Sequence, residues 1–306
     1  MAQEALRWLA IHPDGTYVDA TAGAGGHSAL IAAALDTGRL IALDRDTTAV
    51  ALAGERLKSF PQACVVHANY SELNQVLRDA GIDAIDGLLI DAGLSSMQID
   101  RPERGFSFQE DGPLDMRMDP GSGPGAAEWL ASATEEELAA VLRDLGDVGP
   151  ARRIAKAVLE RQRAGRMTRT GDLAEAVRET LDFVRGEPGE VRTVFQAVRI
   201  AVNRELECLR RGLESAVDVL RPGGRLVVIS FHSGEDRVVK DAFRAWSRPE
   251  RELTRDGRVC SVRAPRLRLP VSGPILPSDG EVQANPRAKS AKMRVAERCA
   301  AAAVED

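Results

Sequence analysis

The sequence predicts an α/β fold: a doubly wound, mostly parallel sheet with a helical insertion between its fourth and fifth strands. Three observations carry this. Short apolar runs bounded by Gly, Asp or Asn recur along the chain, helix-like stretches separate the first four of them, and the alternation stops after Asp91, resuming only beyond a region of helical periodicity without a strand candidate. Strands that alternate with helices pair in parallel, because the helix is the crossover that returns the chain to the same end of the sheet.

Taken in order, "TYVDATAG" at 16–23 is the first strand running into a glycine turn, and "GHSALIAAALDT" is its helix. "RLIALDRD" at 39–46 is the second strand, "DTTAVALAGERLKSF" the next helix, and "ACVVHAN" at 63–69 the third strand. "IDGLLIDAG" at 85–93 is nearly all apolar, as a strand covered on both faces should be. "GFSFQEDGPLDMRMD" at 105–119 has the repeat of neither helix nor strand and reads as a loop. A helical region follows, roughly Ala126 to Arg185. One long helix, about Val194 to Leu220, leads to "RPGG", read as a helix stop, and then to a buried fifth strand in "GRLVVISFHS" at 224–233. The tail holds enough Pro and Gly to be mostly irregular, with "AKMRVAER" as a last edge strand. The expected domains are 1–104 with 195–306, and 105–194 as the helical insertion.

The chain of 306 residues is 44% hydrophobic and 28% charged, a composition that can bury a core. No run nears the ~18 apolar residues of a membrane span, and "MAQEALRWLAIHPDG" lacks the regions of a secretory leader, so a cytoplasmic protein is expected. Cys64, Cys208, Cys260 and Cys299 form no C-x-x-C pair, and His12, His27, His67 and His232 no H-x-x-x-H spacing; neither structural zinc nor a disulfide is expected. The formal net charge is -5, yet the cations are concentrated. Seven Lys/Arg face one acid between Ala151 and Thr170, and ten face four between Arg237 and Pro270. Each segment is a solvated face or a phosphate-contacting surface, and composition leaves both open.

"DATAGAGGHSALI" puts Gly23, Gly25 and Gly26 between a strand end and a helix start, where glycines admit a ligand to the backbone and the helix offers free N–H groups. A dinucleotide fingerprint would place a third glycine where Ser28 stands. Asp44, ending the second strand, is placed to accept hydrogen bonds from ribose hydroxyls. Asp19, just before the loop, suits a ligand carrying an ammonium and a sulfonium better than a pyrophosphate. These features, with "VLRPGGRLVVIS", resemble methyltransferases that use S-adenosylmethionine.

"LLIDAGLSSMQIDRPERGFSFQEDGPLDMRMD" at 88–119 closely resembles the bacterial 16S ribosomal RNA (cytosine-N4) methyltransferase family. "DATAGAGGHS", "ALDRD", "MTRT", "VFQAVRIAVNREL", "LRPGGRLVVISFHSGEDRVVK" and "NPRAKSAKMRVAER" match in family order over nearly the whole chain. The resemblance implies a class I methyltransferase sheet, S-adenosyl-L-methionine as cofactor, and as substrate a cytidine of the decoding region, in the small ribosomal subunit or its precursor. It implies cofactor contacts at Gly25, Gly26, His27, Asp44, Tyr70, Asp91 and Gln98, and no metal. It places the 105–119 loop beside the substrate cleft, where Phe106 and Phe108 stack on a base or anchor the loop, and where the acids are expected to pair with arginines. Oligomeric state is left open, a homodimer included.

The cytosine N4 lone pair is delocalised into the ring, so the amine must be aligned with the methyl group at ~3–3.5 Å, and one N–H needs an acceptor. Asp91, Ser95 and Ser96 near the fourth strand, and Phe231, His232 and Ser233 after the fifth, are the candidates; Asp91, Ser96 and His232 are taken as catalytic. The target base must be unstacked to be reached, which gives both basic segments a purpose as phosphate contacts. Three departures from the family are visible: little chain ahead of Glu4, where one wall of the pocket is therefore expected to differ; "GDVGPARRIA" at 146–155; and Gly234 in "FHSGED", where leucine is usual. The alternatives are a methyltransferase acting on DNA and a non-catalytic module keeping the fold.

Overall fold

The computed structural model describes residues 1–181, 188–253 and 259–300. Arg255, Asp256 and Arg258 of the second basic segment, the side chains of Arg251 and Cys260, and the end of the expected helical region at 182–187 lie outside the described residues. The chain forms two compact units, Met1–Gly93 with Leu206–Asp306, and Leu94–Glu205.

The first unit is built on strands β1 (Thr16–Asp19), β2 (Arg39–Asp44), β3 (Ala63–His67), β4 (Ile85–Asp91), β5 (Leu220–Ser230), β6 (Glu250–Leu253), β7 (Val259–Arg263), β8 (Leu267–Arg268) and β9 (Lys292–Arg298). The main sheet runs β3-β2-β1-β4-β5-β9-β8, with β6 and β7 as a separate antiparallel pair. β1 to β5 are parallel, whereas β9 is antiparallel to β5 and β8 antiparallel to β9. This is the doubly wound, mostly parallel sheet expected from the sequence, with the helical insertion entering between β4 and β5. The alternation of side chains along each strand splits the core in two. Ile41, Leu43, Leu88, Ile90, Leu226 and Val228 face one layer, with Leu213 of helix Glu205–Val219 and Phe243 of helix Ser233–Trp246. Leu40, Ala42, Leu89, Val227 and Ile229 face the other, with Leu9, Ile31 and Leu57 of helices Ala2–Leu9, Gly26–Ala33 and Thr47–Leu57.

Three expectations are corrected. β9 is not an edge strand, because β8 pairs along its outer side; Val295 and Ala296 are buried in opposite layers, so both faces need cover. "RPGG" does not precede β5 but bulges within it: the register against β4 shifts between Ile85 and Gly87, and Gly223 takes φ 83°. A Cβ at Gly224 would stand 2.9 Å from the Arg221 carbonyl, so the bulge needs glycine there. Finally, the long helix is broken at Arg204, whose left-handed φ of 49° ends helix Gly189–Asn203.

The second unit packs helices Ala126–Ser132, Glu135–Gly146, Ala151–Arg163, Thr170–Thr180 and Gly189–Asn203 around Leu130, Leu142, Ile154, Leu173 and Phe195. Its loop at 105–119 is anchored from within. Asn203, 3% exposed, donates through Nδ2 to the Met116 carbonyl at 2.7 Å and accepts from the Met118 N–H at 2.7 Å. Arg104 Nη2 donates to the carbonyls of Arg117 and Met118, both at 2.9 Å. Phe106 is buried, and Phe108 meets Phe195 edge-on at 5.2 Å. Asp115 pairs with Arg117 at 2.7 Å, and Asp111 with Arg169. Asn203→Ala strands a buried N–H and a buried carbonyl, each worth about 1–3 kcal/mol; urea titration should show about 2–4 kcal/mol lost, with new proteolysis near Met116.

Candidate cofactor site

The site is assembled where β1, β2 and β4 end. Asp19 closes β1 and is completely buried. Its carboxylate does not project toward a ligand, as the sequence suggested: Oδ2 accepts from the Ser28 hydroxyl at 2.5 Å and Oδ1 from the Thr21 N–H at 3.2 Å. It therefore braces the glycine loop from beneath, and Ser28, the residue that breaks the dinucleotide fingerprint, is there to hold it. Burial pushes the Asp19 pKa up, against the opposing pull of His27 and Ser28.

Above it the loop turns tightly. Gly25 sits at φ 78° ahead of helix Gly26–Ala33, so close to helix Thr47–Leu57 that a Cβ would lie 3.2 Å from Arg56 Cδ and 3.3 Å from Ala53 Cα. Asp44, at the end of β2, ties the loop down: Gly23 N–H donates to Oδ2 and Asp46 N–H to Oδ1, each at 2.8 Å. A carboxylate oxygen has two acceptor directions, so both oxygens keep capacity for ribose hydroxyls. Burial raises the Asp44 pKa, against those two backbone bonds.

At the end of β4, Asp91 N–H donates to Thr21 Oγ1 at 2.6 Å, while its Oδ2 stands 3.6 Å from His27 Nδ1. Asp91 Oδ1 and His27 Nε2 are buried with no hydrogen-bond partner among the described residues. Buried polar atoms are normally satisfied, and at this pair an acceptor and a ring nitrogen are left for hydrogen bonding beside the glycine loop, as His232 Nε2 is beyond β5. Burial pushes the Asp91 pKa up to about 6, with Asp19 adding and His27 opposing.

Tyr70 opens the short turn Tyr70–Glu72 and lies against helix Glu205–Val219, where a Cβ on Gly212 would fall 2.7 Å from its Cδ2. His232 is the N-cap of helix Ser233–Trp246: its Nδ1 faces the Glu235 N–H at 3.4 Å and its Nε2 lies 3.2 Å from Glu235 Oε1. Glu235, 2% exposed, also accepts from the Phe231 N–H at 2.8 Å. At Gly234, the departure from "FHSLED", a Cβ would press to 3.1 Å from His232 Nδ1; glycine leaves the histidine room. In the second unit, Ser96 begins helix Ser96–Ile99 and is exposed. Gln98 is buried and caps that helix, its Oε1 accepting from the Ser95 N–H at 3.0 Å.

The first unit thus gathers Gly25, Gly26, His27, Asp44 and Asp91 at the carboxyl ends of β1, β2 and β4, while Tyr70, beyond the end of β3, packs on Gly212 and His232, beyond the end of β5, caps its helix. Sequence reasoning missed Glu235 and Thr21. The capping spacing from His232 to Glu235 was a usable signal for the first; nothing local pointed to the second.

The basic segments divide by pairing. Arg161 bonds Glu175 at 2.8 Å and Glu179 at 2.5 Å, and Arg169 holds Asp111, whereas Arg152, Arg163 and Arg166 are exposed. Arg266 pairs with Asp218, and Arg268 with Glu297 at 2.6 Å, whereas Arg237, Lys240 and Arg244 are exposed along one helix.

The family model of the MraW methylases matches residues 1–299. The Ribosomal RNA small subunit methyltransferase H of Methylibium petroleiphilum is 49% identical over 304 residues, spanning 97% of this chain and 94% of that protein. The protein of the same name in Thiobacillus denitrificans is 49% identical over 306 residues, spanning 99% of this chain and 97% of its own length. That of Leptothrix cholodnii is 48% identical, with 97% and 92% spanned.

Proposed function

Because the chain belongs to the MraW methylase family, we propose that it methylates the exocyclic N4 of a cytidine in the decoding region of 16S ribosomal RNA, with S-adenosylmethionine as methyl donor. The observation that carries the cofactor site is the unpartnered pair of Asp91 Oδ1 and His27 Nε2 beside the Gly23–Gly26 loop. An acceptor and a ring nitrogen there suit the ammonium and carboxylate of an amino-acid moiety, and Asp44 suits a ribose. Gly25, Gly26, His27, Asp44, Tyr70, Asp91 and Gln98 are the residues assigned to hold the cofactor. Bound there, it supplies an electrophilic methyl group on a sulfonium.

Asp91 is the group assigned to take the N–H proton that the amine must lose, and Ser96 and His232 to orient the base. His232 Nδ1 accepts from the Glu235 N–H at 3.4 Å, while its buried Nε2, 3.2 Å from Glu235 Oε1, has no hydrogen-bond partner among the described residues; Asp91 is assigned as the acceptor because it stands beside His27 and the glycine loop. Its ionised form is the active one, and burial holds its pKa at about 6. The sign follows: kcat/KM should be flat above about pH 7 and fall about tenfold by pH 5 as Asp91 protonates, a dependence that Asp91→Asn removes. The helical insertion, with Arg152, Arg163 and Arg166 exposed, is assigned to substrate RNA. No described helix is long and apolar enough to cross a membrane, and a ribosomal substrate favours a cytoplasmic site of action.

The test is calorimetric titration with S-adenosylmethionine, wild type beside Asp44→Ala, followed by methyl transfer to small ribosomal subunits and to duplex DNA. The variant should bind about 10–100-fold more weakly, the worth of hydrogen bonds to a charged acceptor. Transfer to DNA alone would redirect the substrate, and absence of cofactor binding by wild type would leave a non-catalytic module.

A further inference from the structure

We infer that a second site on the first unit, a pocket rimmed by Lys240 and Arg244 and floored by Leu269, Val271 and Phe243, holds one unstacked nucleotide of the RNA flanking the target base. It rests on the ribosomal RNA reading above. The pocket encloses about 450 Å³ between helix Ser233–Trp246, β9 and the chain at 269–274, a volume in the range of small-ligand sites. Its charged lining consists of Lys240, Arg244 and Arg294, with no carboxylate among the lining residues.

Arg294 is already used: Asp236 accepts from its Nε at 2.6 Å and from its Nη2 at 3.2 Å, with Lys292 Nζ 3.6 Å from the same carboxylate. Against the upward push of burial, those cations hold the Asp236 pKa below the usual carboxylate range. Lys240 and Arg244 make no ion pair among the described residues, and both are exposed. Four residues apart, they stand on one face of the helix. Arg237 precedes them by a turn and Arg248 follows the helix end, both exposed, which extends the stripe. Elsewhere in the same segment Arg266 and Arg268 neutralise Asp218 and Glu297. Among the described residues of this segment, Lys240 and Arg244 at the pocket are exposed cations without an ion pair, with Arg237 and Arg248 beside them.

An apolar floor under an unpaired cationic rim matches the two chemistries every nucleotide carries, a planar base and a phosphate. Lys240 lies about 12 Å along the helix from His232, within reach of a strand whose target base is at the cofactor site.

The test uses the full chain and a labelled single-stranded octamer of cytidine RNA, its binding followed by fluorescence anisotropy between 0.1 and 1 M salt. Each phosphate contact contributes about 0.7 to the salt slope on single strands. The double variant Lys240→Ala with Arg244→Ala should therefore lose about 1.4 from the slope, or about 25-fold in affinity at 0.1 M salt relative to 1 M. Gly273 lines the pocket, and a Cβ there meets nothing within 4 Å; Gly273→Trp should fill the floor and weaken RNA binding at least fivefold with the slope nearly kept. S-adenosylmethionine affinity should be unchanged in both variants. RNA binding by both variants equal to wild type, with wild type methylating small subunits, overturns the pocket and leaves the function standing. Failure of wild type to bind RNA or to methylate small subunits overturns the function, and the pocket falls with it. Binding of an octaglutamate peptide in place of RNA, with the same dependence on Lys240 and Arg244, also overturns the RNA assignment.

Discussion

Asp91→Ala should lower kcat/KM for methyl transfer to small ribosomal subunits by about 10³-fold, within the range for loss of a positioned general base, without unfolding the protein. The second half of that expectation comes from electrostatics. Burial pushes the Asp91 pKa up to about 6, so folding favours the neutral carboxyl. The stability this group contributes is present below the ordinary carboxylate pKa of ~3.9 and lost as pH rises through about 6. At pH 7 the ionised side chain is a cost to the fold, so removing it should leave Tm equal or raise it by a few degrees. A residue kept only for structure would behave in the opposite way, since losing a structural partner lowers Tm. Asp91→Asn should match the loss of activity, because the amide fills the space without accepting a proton. Activity within tenfold of wild type in both variants would remove Asp91 from the chemistry.

How much of this was readable beforehand differs from element to element. The strands were legible because each is a short apolar run closed by Gly or Asp, and the closing residues Asp19, Asp44 and Asp91 are those at the candidate site. The glycine loop was legible for the same reason, since only a turn with positive φ demands Gly25 at that place. The break at Arg204 was not: the apolar period continues across it, and the residue before the break, Asn203, is held to Met116 and Met118, 87 and 85 residues away. The orientation of Asp19 was hidden too. A carboxylate before a glycine loop reads as a ligand contact until Ser28 is seen to bind it. Likewise Tyr70 packs on Gly212 and His232 caps with Glu235, contacts set by the tertiary arrangement or by capping, neither of which leaves a mark in apolar periodicity. The pairing of basic residues shows the same limit: composition counted Arg161 and Arg169 with the surface cations, but carboxylates brought near by folding neutralise them.

Gly25→Val should abolish S-adenosylmethionine binding, with Kd raised at least 100-fold. Two costs fall at one residue. Its φ of 78° is in the left-handed region, which a β-branched side chain resists. The new Cβ would also press on Arg56 Cδ at 3.2 Å and on Ala53 Cα at 3.3 Å, and the Ala53 backbone belongs to a packed helix that cannot yield as a side-chain tip can. The loop must therefore move, and it carries the Gly23 N–H that meets Asp44 and the free N–H groups at the start of helix Gly26–Ala33. The sheet does not depend on the loop, so the variant should stay folded with Tm lowered by a few degrees. Gly54→Ala is the control on the neighbouring helix Thr47–Leu57: a Cβ there meets nothing within 4 Å, and exchanging a helical glycine for alanine should stabilise by about 0.5–1 kcal/mol and leave Kd unchanged. Calorimetry on both variants separates the two explanations. Weak binding confined to Gly25→Val places the cofactor on this loop, whereas a Kd within threefold of wild type would move the site elsewhere on the sheet.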